Sequence, residues 1–187
     1  MFKKQNDNAG DAVLEEAMKN LPKGSAEAYR MLYERYHNKV YRFCLRMLGD
    51  EEQAADAFQE TFINIYEHRK EFKGNNFSAW LFTIARHNCL NIIRKRKESE
   101  SFNEEYHAIS EQKTSDVALK EYIQKALDIL PETLREALIL REYEGYSYQE
   151  IADITGTELS LAKVRVFRAR TTLRKLLLPL RQELYES

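Results

Sequence analysis

Long stretches of helix-forming residues, broken only at widely spaced glycines, constrain this chain more than any other feature of its sequence. The 187 residues include only 6 glycines and 3 prolines, which are too few turn-forming residues for a β-sandwich or a β-barrel. The segments between the glycines are rich in Ala, Leu, Glu, Lys and Arg, and none alternates with the period of two that a strand requires. The sequence therefore predicts an all-α protein. We expect helices to start or stop at the glycines, which are Gly10, Gly24, Gly49, Gly74, Gly145 and Gly156.

Hydrophobic periodicity and capping residues place the helices in two sets. Asp50 with Gln53 and Ser147 with Glu150 match the spacing of N-terminal caps. Pro131 suits the first turn of a helix, where its missing N–H has no cost. The predicted helices cover residues 11–21, 25–47, 50–70 and 77–97 in the first set, and 116–129, 131–144, 147–155 and 160–178 in the second.

The segment 98–115 separates the two sets of helices. It is polar and acidic and has no clear periodicity, which is typical of a solvated linker. A buried helix is the alternative interpretation. The sequence thus predicts two helical domains, 1–97 and 116–187, joined by a flexible acidic linker at which a protease should cut first.

Charge is balanced overall but segregated along the chain. The net charge of −1 gives no indication of a nucleic-acid partner. From Ser160 to Arg181, however, there are seven basic residues and no acidic one, and a basic run, Arg94-Lys95-Arg96-Lys97, closes the first domain. The distribution of charge, unlike its sum, indicates an anionic partner.

Several classes of protein are not expected from this sequence. No apolar run is long enough to span a membrane, and the N-terminus lacks the apolar segment of a secretory signal. Cys44 and Cys89 fall within helical patterns and are expected to be free, buried thiols. We find no phosphate-binding glycine loop, nucleophile set or metal-ligand cluster. We therefore expect a cytoplasmic protein without membrane insertion, cofactor or enzymatic activity.

Residues 147–173 fit a helix-turn-helix. The first helix presents Ile151, Ala152 and Ile154 inward, Gly156 supplies the turn, and the second helix has an inward stripe of apolar residues. Its other face combines cations with apolar groups that can contact phosphates and base edges. A helical hairpin with a solvated basic face is the alternative. The stripe comprises Ala162, Val166, Ala169 and Leu173, and the other face Lys163, Val164, Phe167 and Arg168.

Three strings in the second domain carry a family resemblance. They are LPETLR at 130–135, LREYEGYSYQEIA at 140–152 and RARTTLR at 168–174, and they resemble region 4 of the extracytoplasmic-function (ECF) bacterial sigma factors. The resemblance implies that the second helix reads the −35 promoter element. Leu161, Ala162 and Val164 depart from the family pattern, so the −35 sequence stays open. The implied −35 contacts are Ser160, Lys163, Val164, Arg165, Phe167 and Arg168.

The string DAFQETFI at 56–63 resembles region 2.2 of the same family. Its periodicity predicts a buried stripe of Ala55, Phe58, Phe62 and Ile65, with a polar face beside it. An exposed isoleucine on that face indicates a protein contact, although an ordinary amphipathic helix is the alternative. The resemblance implies docking on the clamp helices of the β′ subunit of core RNA polymerase. The residues of this docking face are Asp56, Gln59, Glu60 and Ile63.

The strings FSAWLFTIARHN at 77–88 and IIRKR at 92–96 resemble regions 2.3 and 2.4. The resemblance implies that this part opens and reads the −10 element, with a flipped base held against the loop 72–76. Aromatic rings and cations suit single-stranded DNA. His87 stands where the family usually has Asn. The implied −10 contacts are Lys73, Asn75, Asn76, Trp80, His87, Asn88, Arg94 and Arg96.

Together these resemblances predict a sigma factor whose partners are core RNA polymerase and promoter DNA, and they imply an anti-sigma factor as a further partner. A stand-alone helix-turn-helix regulator is the first alternative, but it leaves the strings 56–63 and 77–96 unexplained. A helical adaptor without a DNA role is the second, and the basic stretch 160–181 argues against it.

Overall fold

The computed structural model describes residues 8–20, 22–73, 76–100 and 116–178. Within these ranges all regular structure is helical and no strand occurs, which confirms the all-α prediction. A short 3-10 turn, Arg69–Glu71, follows the third helix. The α-helices are α1 (Asn8–Asn20), α2 (Pro22–Leu48), α3 (Glu51–Glu67), α4 (Phe77–Glu100), α5 (Asp116–Ile129), α6 (Glu132–Glu142), α7 (Tyr148–Thr155) and α8 (Leu159–Leu176).

In the first domain α2 is the central helix, and it packs against α1, α3 and α4. Its buried face is mostly aliphatic and carries two aromatic residues, Tyr36 and Phe43, so it meets the other helices through rings as well as aliphatic side chains. Phe43 of α2 and Phe82 of α4 meet edge to face with centroids 5.3 Å apart, an arrangement that ring quadrupoles favour. This core holds α4 in a fixed direction across the domain.

The second domain is built around α6, which is buried along most of its length and packs against α8. The predicted capping box at the start of α7 is present: Glu150 N donates to Ser147 Oγ, and Ser147 N donates to a Glu150 carboxylate oxygen. Gly156 ends α7 with φ 63°, a left-handed conformation that favours glycine. The helix-turn-helix geometry therefore follows from residues that the sequence already shows.

The two domains pack directly against each other, and one apolar core runs through both. Phe82 of α4 meets Tyr146 of the second domain with ring centroids 5.4 Å apart. Tyr146 also hydrogen-bonds the Ser78 hydroxyl, and Arg135 Nη1 donates to the Met47 carbonyl at 2.6 Å. The sequence predicted two separate domains and contained no signal for this contact.

A buried carboxylate reinforces the contact between the domains. Arg86 of α4 donates from Nε to Glu136 Oε2 of α6 at 2.7 Å and from Nη2 to Oε1 at 3.2 Å. On its other side Glu136 lies 3.6 Å from Arg165 Nη1 of α8. Glu136 is fully buried, and two cations compensate its charge.

Several boundary predictions were wrong by a few residues. Gly10 and Gly24 lie inside the first turns of α1 and α2, where unpaired N–H groups make a flexible residue tolerable. Pro131 precedes α6 as its cap. The fourth helix continues to Glu100, into the predicted linker. The remainder of that segment, 101–115, lies outside the described residues.

The buried face of α3 is rotated by part of a helical turn relative to the face that the sequence predicts. Phe62 and Ile65 are buried as expected, but Ala55 and Phe58 are only half-buried. Small residues occupy the most buried positions, because α3 approaches α2 and α4 closely. These positions are Ala54, Ala57 and Thr61.

Candidate polymerase and nucleic-acid interfaces

The second helix of the helix-turn-helix presents an exposed face that combines cations with apolar groups. Phe167 is 70% exposed and Val164 41%, and Lys163, Arg168 and Ser160 are exposed beside them. The opposite face of α8 is buried at Ala162, Val166 and Ala169, while Leu173 is half-buried. A large exposed aromatic ring between two cations has the composition of a surface that contacts base edges and phosphates.

Two arginines of the basic stretch pair with acidic residues of α6. Arg165 lies beside Glu136, and its side chain is only 18% exposed. Arg170 Nε donates to Glu142 Oε1 at 2.7 Å. Acids on α6 therefore neutralise part of the charge that looked uncompensated in the sequence. Among the described residues of the stretch, the cations that remain exposed without such a pair are Lys163, Arg168, Arg174 and Lys175.

All four predicted docking residues are exposed along one side of α3. Asp56, Gln59, Glu60 and Ile63 follow each other at helical spacing, and Ile63 is 51% exposed. Tyr66, one turn beyond, is also exposed and continues the same side. Tyr66 is not among the predicted docking residues, although its spacing from Ile63 is visible in the sequence. This acidic face with an apolar end suits a basic, partly apolar protein surface.

Three of the predicted −10 residues are exposed. His87 and Arg94 lie on one side of α4, and Lys73 lies in the loop before it. Arg94 Nη2 donates to Asn91 Oδ1 at 3.0 Å, which orders the guanidinium on the surface. The opposite side of α4, with Ser78, Phe82 and Arg86, faces the second domain. The exposed side is the part of α4 open to a nucleic acid.

Other predicted −10 residues are engaged within the protein. Trp80 is half-buried against Phe72, with ring centroids 5.2 Å apart. Asn88 Nδ2 donates to Thr61 Oγ1 at 3.1 Å, and Arg96 Nη1 donates to the Leu48 carbonyl at 3.3 Å. These contacts connect α4 to α2 and α3, so they position the exposed residues.

The loop before α4 carries the remaining predicted −10 residues. Asn76 Oδ1 accepts from Ala79 N at 3.0 Å and so caps the helix. Asn75 lies outside the described residues. Phe72 and Phe77 are both buried, with ring centroids 5.9 Å apart. The two ends of this loop are therefore anchored in the core.

His87 has an altered protonation equilibrium. Partial burial of the ring, together with the neighbouring charge of Arg86, lowers the pKa of His87 below its ordinary value of 6.5. The imidazole is consequently neutral at physiological pH, with one ring nitrogen that donates and one that accepts hydrogen bonds. A neutral ring suits contact with a base edge better than contact with a phosphate.

The two cysteines lie in the part of the chain that the structure describes. Cys44 and Cys89 are free and fully buried. A hydrogen bond with Cys44, together with burial, raises the pKa of the Cys89 thiol. No group of three or more metal-ligating side chains occurs in this part of the chain. Nor does any helix within it have the length and apolar character needed to cross a membrane.

The first domain carries an acidic face with an apolar end, and the second carries a basic helix-turn-helix. This combination is expected of helical transcription proteins that join a protein partner to DNA. Two family models agree with this class. Sigma-70 region 2 matches residues 32–99, and sigma-70 region 4 matches residues 120–173.

Curated relatives identify the family. The chain is 30% identical over 185 residues to the RNA polymerase sigma-H factor of Pseudomonas aeruginosa, covering 90% of this chain and 96% of that protein. It is 30% identical over 181 residues to the ECF RNA polymerase sigma factor SigW of Bacillus subtilis, covering 88% and 97%. The chain belongs to the ECF sigma factors of the sigma-70 family, so the stand-alone regulator and the adaptor are both excluded.

Two solved structures have the same fold as this chain. The sigma factor RpoE of Bartonella quintana, determined in complex with the anti-sigma factor NepR, matches with a TM-score of 0.68 and 30% identity. The match covers 80% of this chain and 96% of that one. The structure of CnrH with the cytosolic domain of CnrY matches with a TM-score of 0.69 at 22% identity, which shows the shared fold.

Proposed function

We propose that this protein binds core RNA polymerase through the exposed face of α3 and directs the enzyme to promoters through α4 and α8. One observation carries the proposal: an acidic face with exposed Ile63 and a basic face with exposed Phe167 lie on different helices of one chain. Carboxylates repel phosphate, so the α3 face is unsuited to DNA and suited to a protein. The protein acts as a non-catalytic initiation subunit.

Promoter recognition divides between the two domains. On α8, Lys163 and Arg168 donate to phosphates or guanine acceptors, while Val164 and Phe167 contact thymine methyl groups in the −35 element. Ser160 lies at the start of the same helix. In the first domain, Lys73, His87 and Arg94 are the exposed groups for the −10 element, where melted bases stack and phosphates need cations.

The cellular compartment of this activity follows from the proposed partners. Core polymerase and promoter DNA place the protein in the cytoplasm. We propose an anti-sigma factor as a further partner, because the RpoE relative from Bartonella quintana was crystallised with one.

Promoter-directed run-off transcription with core polymerase tests the proposed function. The wild-type protein should direct initiation from a two-element promoter. Asp56→Arg combined with Glu60→Arg should abolish core binding and run-off, because the reversed charges repel a basic partner. The double variant should stay folded, since both positions are exposed and such substitutions change stability by only about 0.5 kcal/mol.

The matched control is Glu51→Arg with Glu52→Arg, which makes the same charge change at exposed positions in the first turn of α3. Thermal melting checks the folding of both pairs. Unchanged core affinity in a well-folded Asp56→Arg, Glu60→Arg protein contradicts the docking assignment.

A further inference from the structure

The first helix lies outside the matched family region, which begins at residue 32, yet it holds the start of α4. Glu15 is only 5% exposed, and its Oε1 accepts a hydrogen bond from Phe77 N at 2.9 Å. Lys19, one turn further along α1, places its Nζ 4.7 Å from the centre of the Phe72 ring. Thus α1 contacts both ends of the loop that precedes α4.

A buried carboxylate at this position has a clear physical role. The first N–H groups of a helix have no partner within it, and the helix dipole stabilises negative charge at that end. Glu15 satisfies the N–H of Phe77, and Asn76 Oδ1 satisfies that of Ala79 at 3.0 Å. Two side chains from separate parts of the sequence therefore determine where α4 begins and how the chain enters it.

The start of α4 is closed to outside anions. An open helix N-terminus is an anion site because its N–H groups and dipole attract negative charge. Here the Glu15 carboxylate fills that site from within the protein, and Glu15 and Phe77 are both buried, so the start of α4 offers no phosphate site.

We propose that Glu15 is a positioning residue for −10 recognition. It holds the start of α4, and with it the capping residue Asn76, in place. The role rests on the proposed function in promoter recognition, which it deepens, and it adds to that function an element outside the matched family region.

The test compares Glu15→Gln, which keeps an acceptor oxygen but removes the charge, with Glu16→Gln, the same change at the next, exposed position of α1. Each holoenzyme is assayed on a promoter that the wild type uses and on the same promoter with single-base changes in the −10 element. Glu15→Gln should reduce discrimination among these templates by about fivefold, at the low end for losing a base contact. Its affinity for them should keep the salt dependence of the wild type, because the amide still fills the helix N-terminus and no phosphate contact is gained. Glu16→Gln should match the wild type.

Binding to core polymerase and binding to the −35 element serve as internal controls, because neither should depend on Glu15. Glu15→Gln should bind core and a −35 duplex as the wild type does, and Glu15→Asp should recover most of the discrimination. An equal loss on every −10 template, or unchanged discrimination in a protein that melts like the wild type, overturns the positioning role. A wild-type protein that gives no run-off on any template overturns the proposed function itself.

Discussion

On α8 the role of each basic side chain depends on the acid that it meets. Arg165 and Arg170 lie beside Glu136 and Glu142 of α6, so their charge stabilises the domain. Lys163 and Arg168 belong to the same basic stretch, but their side chains are exposed to solvent. A count of charges along the chain therefore overstates the surface that is available to DNA.

Two substitutions on α8 distinguish base reading from backbone attraction. Arg168→Ala should cost about 1–3 kcal/mol of binding free energy and relax preference at one −35 position. Lys175→Ala should weaken binding to all sequences about equally and reduce the salt slope. Titrations of promoter and random duplexes measure both effects. Equal losses on both duplexes for both variants would remove the reading role of Arg168.

The pKa values of two histidines should be shifted in opposite directions from the ordinary value. Burial lowers the pKa of His87 below 6.5, whereas the hydrogen bond and charge of Glu71 raise the pKa of His68 above it. Because folded His87 binds its proton less readily than the unfolded chain does, its contribution to stability is complete above pH 6.5. That contribution is lost as the pH falls through the folded pKa. Imidazole resonances followed by NMR against pH measure both midpoints, and a His87 midpoint above that of His68 contradicts the assignment.

At the level of elements, the geometry of the α7–α8 hairpin depends on how α7 begins and ends. The capping box starts α7, and Gly156 ends it in the left-handed conformation. A β-carbon on Gly156 would meet no atom within 4 Å. A side chain there therefore lowers stability through strain in the backbone at positive φ and not through a clash. The turn sets the direction of α8 relative to α7, and with it the exposed face that carries Phe167.

Substitution of Gly156 isolates this backbone cost. Gly156→Ala should destabilise the protein by about 1–2 kcal/mol, because an L-residue is strained at positive φ. Gly156→Asn should cost less, since Asn tolerates that region. Urea unfolding measures the difference between the two variants. An alanine variant as stable as the wild type would show that the turn can relax into another conformation.

At the level of the whole molecule, the closed packing of the domains is incompatible with simultaneous contact to both promoter elements. Arg86 of α4 and Arg165 of α8 share the Glu136 carboxylate, so the two DNA-facing helices are close together. The −10 and −35 elements are about 25 base pairs apart, which is about 85 Å of B-DNA at about 3.4 Å per base pair. If α4 and α8 contact these two elements as proposed, we expect the domains to separate before both elements are bound.

A reversible cross-link tests this separation. A β-carbon on Gly49 would lie 3.2 Å from the carboxyl carbon of Asp128 in the second domain, within reach of a disulfide. The oxidised Gly49→Cys, Asp128→Cys protein should bind core polymerase through α3 but give no run-off from a two-element promoter. Reductant should restore transcription.

The reduced form of the same double variant is the control, because it carries the same backbone strain at φ 70° and the same loss of the Asp128 carboxylate without the cross-link. The native Cys44 and Cys89 are buried and should not react. Full transcription by the cross-linked protein would show that the closed form is competent.

The sequence by itself determined the helices, the capping box, the turn at Gly156 and the exposed faces of α3 and α8. These features depend on local spacing and on backbone conformation, both of which are visible in a single chain. It missed the start of α1 and the extension of α4 to Glu100, because helix ends carry no sharp sequence signal at the level of a few residues. It also missed the rotation of the buried stripe on α3, which close packing against α2 and α4 decided.

Only the tertiary structure decided which charged and polar side chains remain available. The pairing of Arg86 with Glu136, the hydrogen bond from Phe77 to Glu15 and the burial of Arg165 join residues far apart in the chain. Such pairs form because an unpaired charge or N–H group in the core is costly. The partner that removes this cost depends on how the helices pack. Periodicity along the sequence does not predict which residue that partner is.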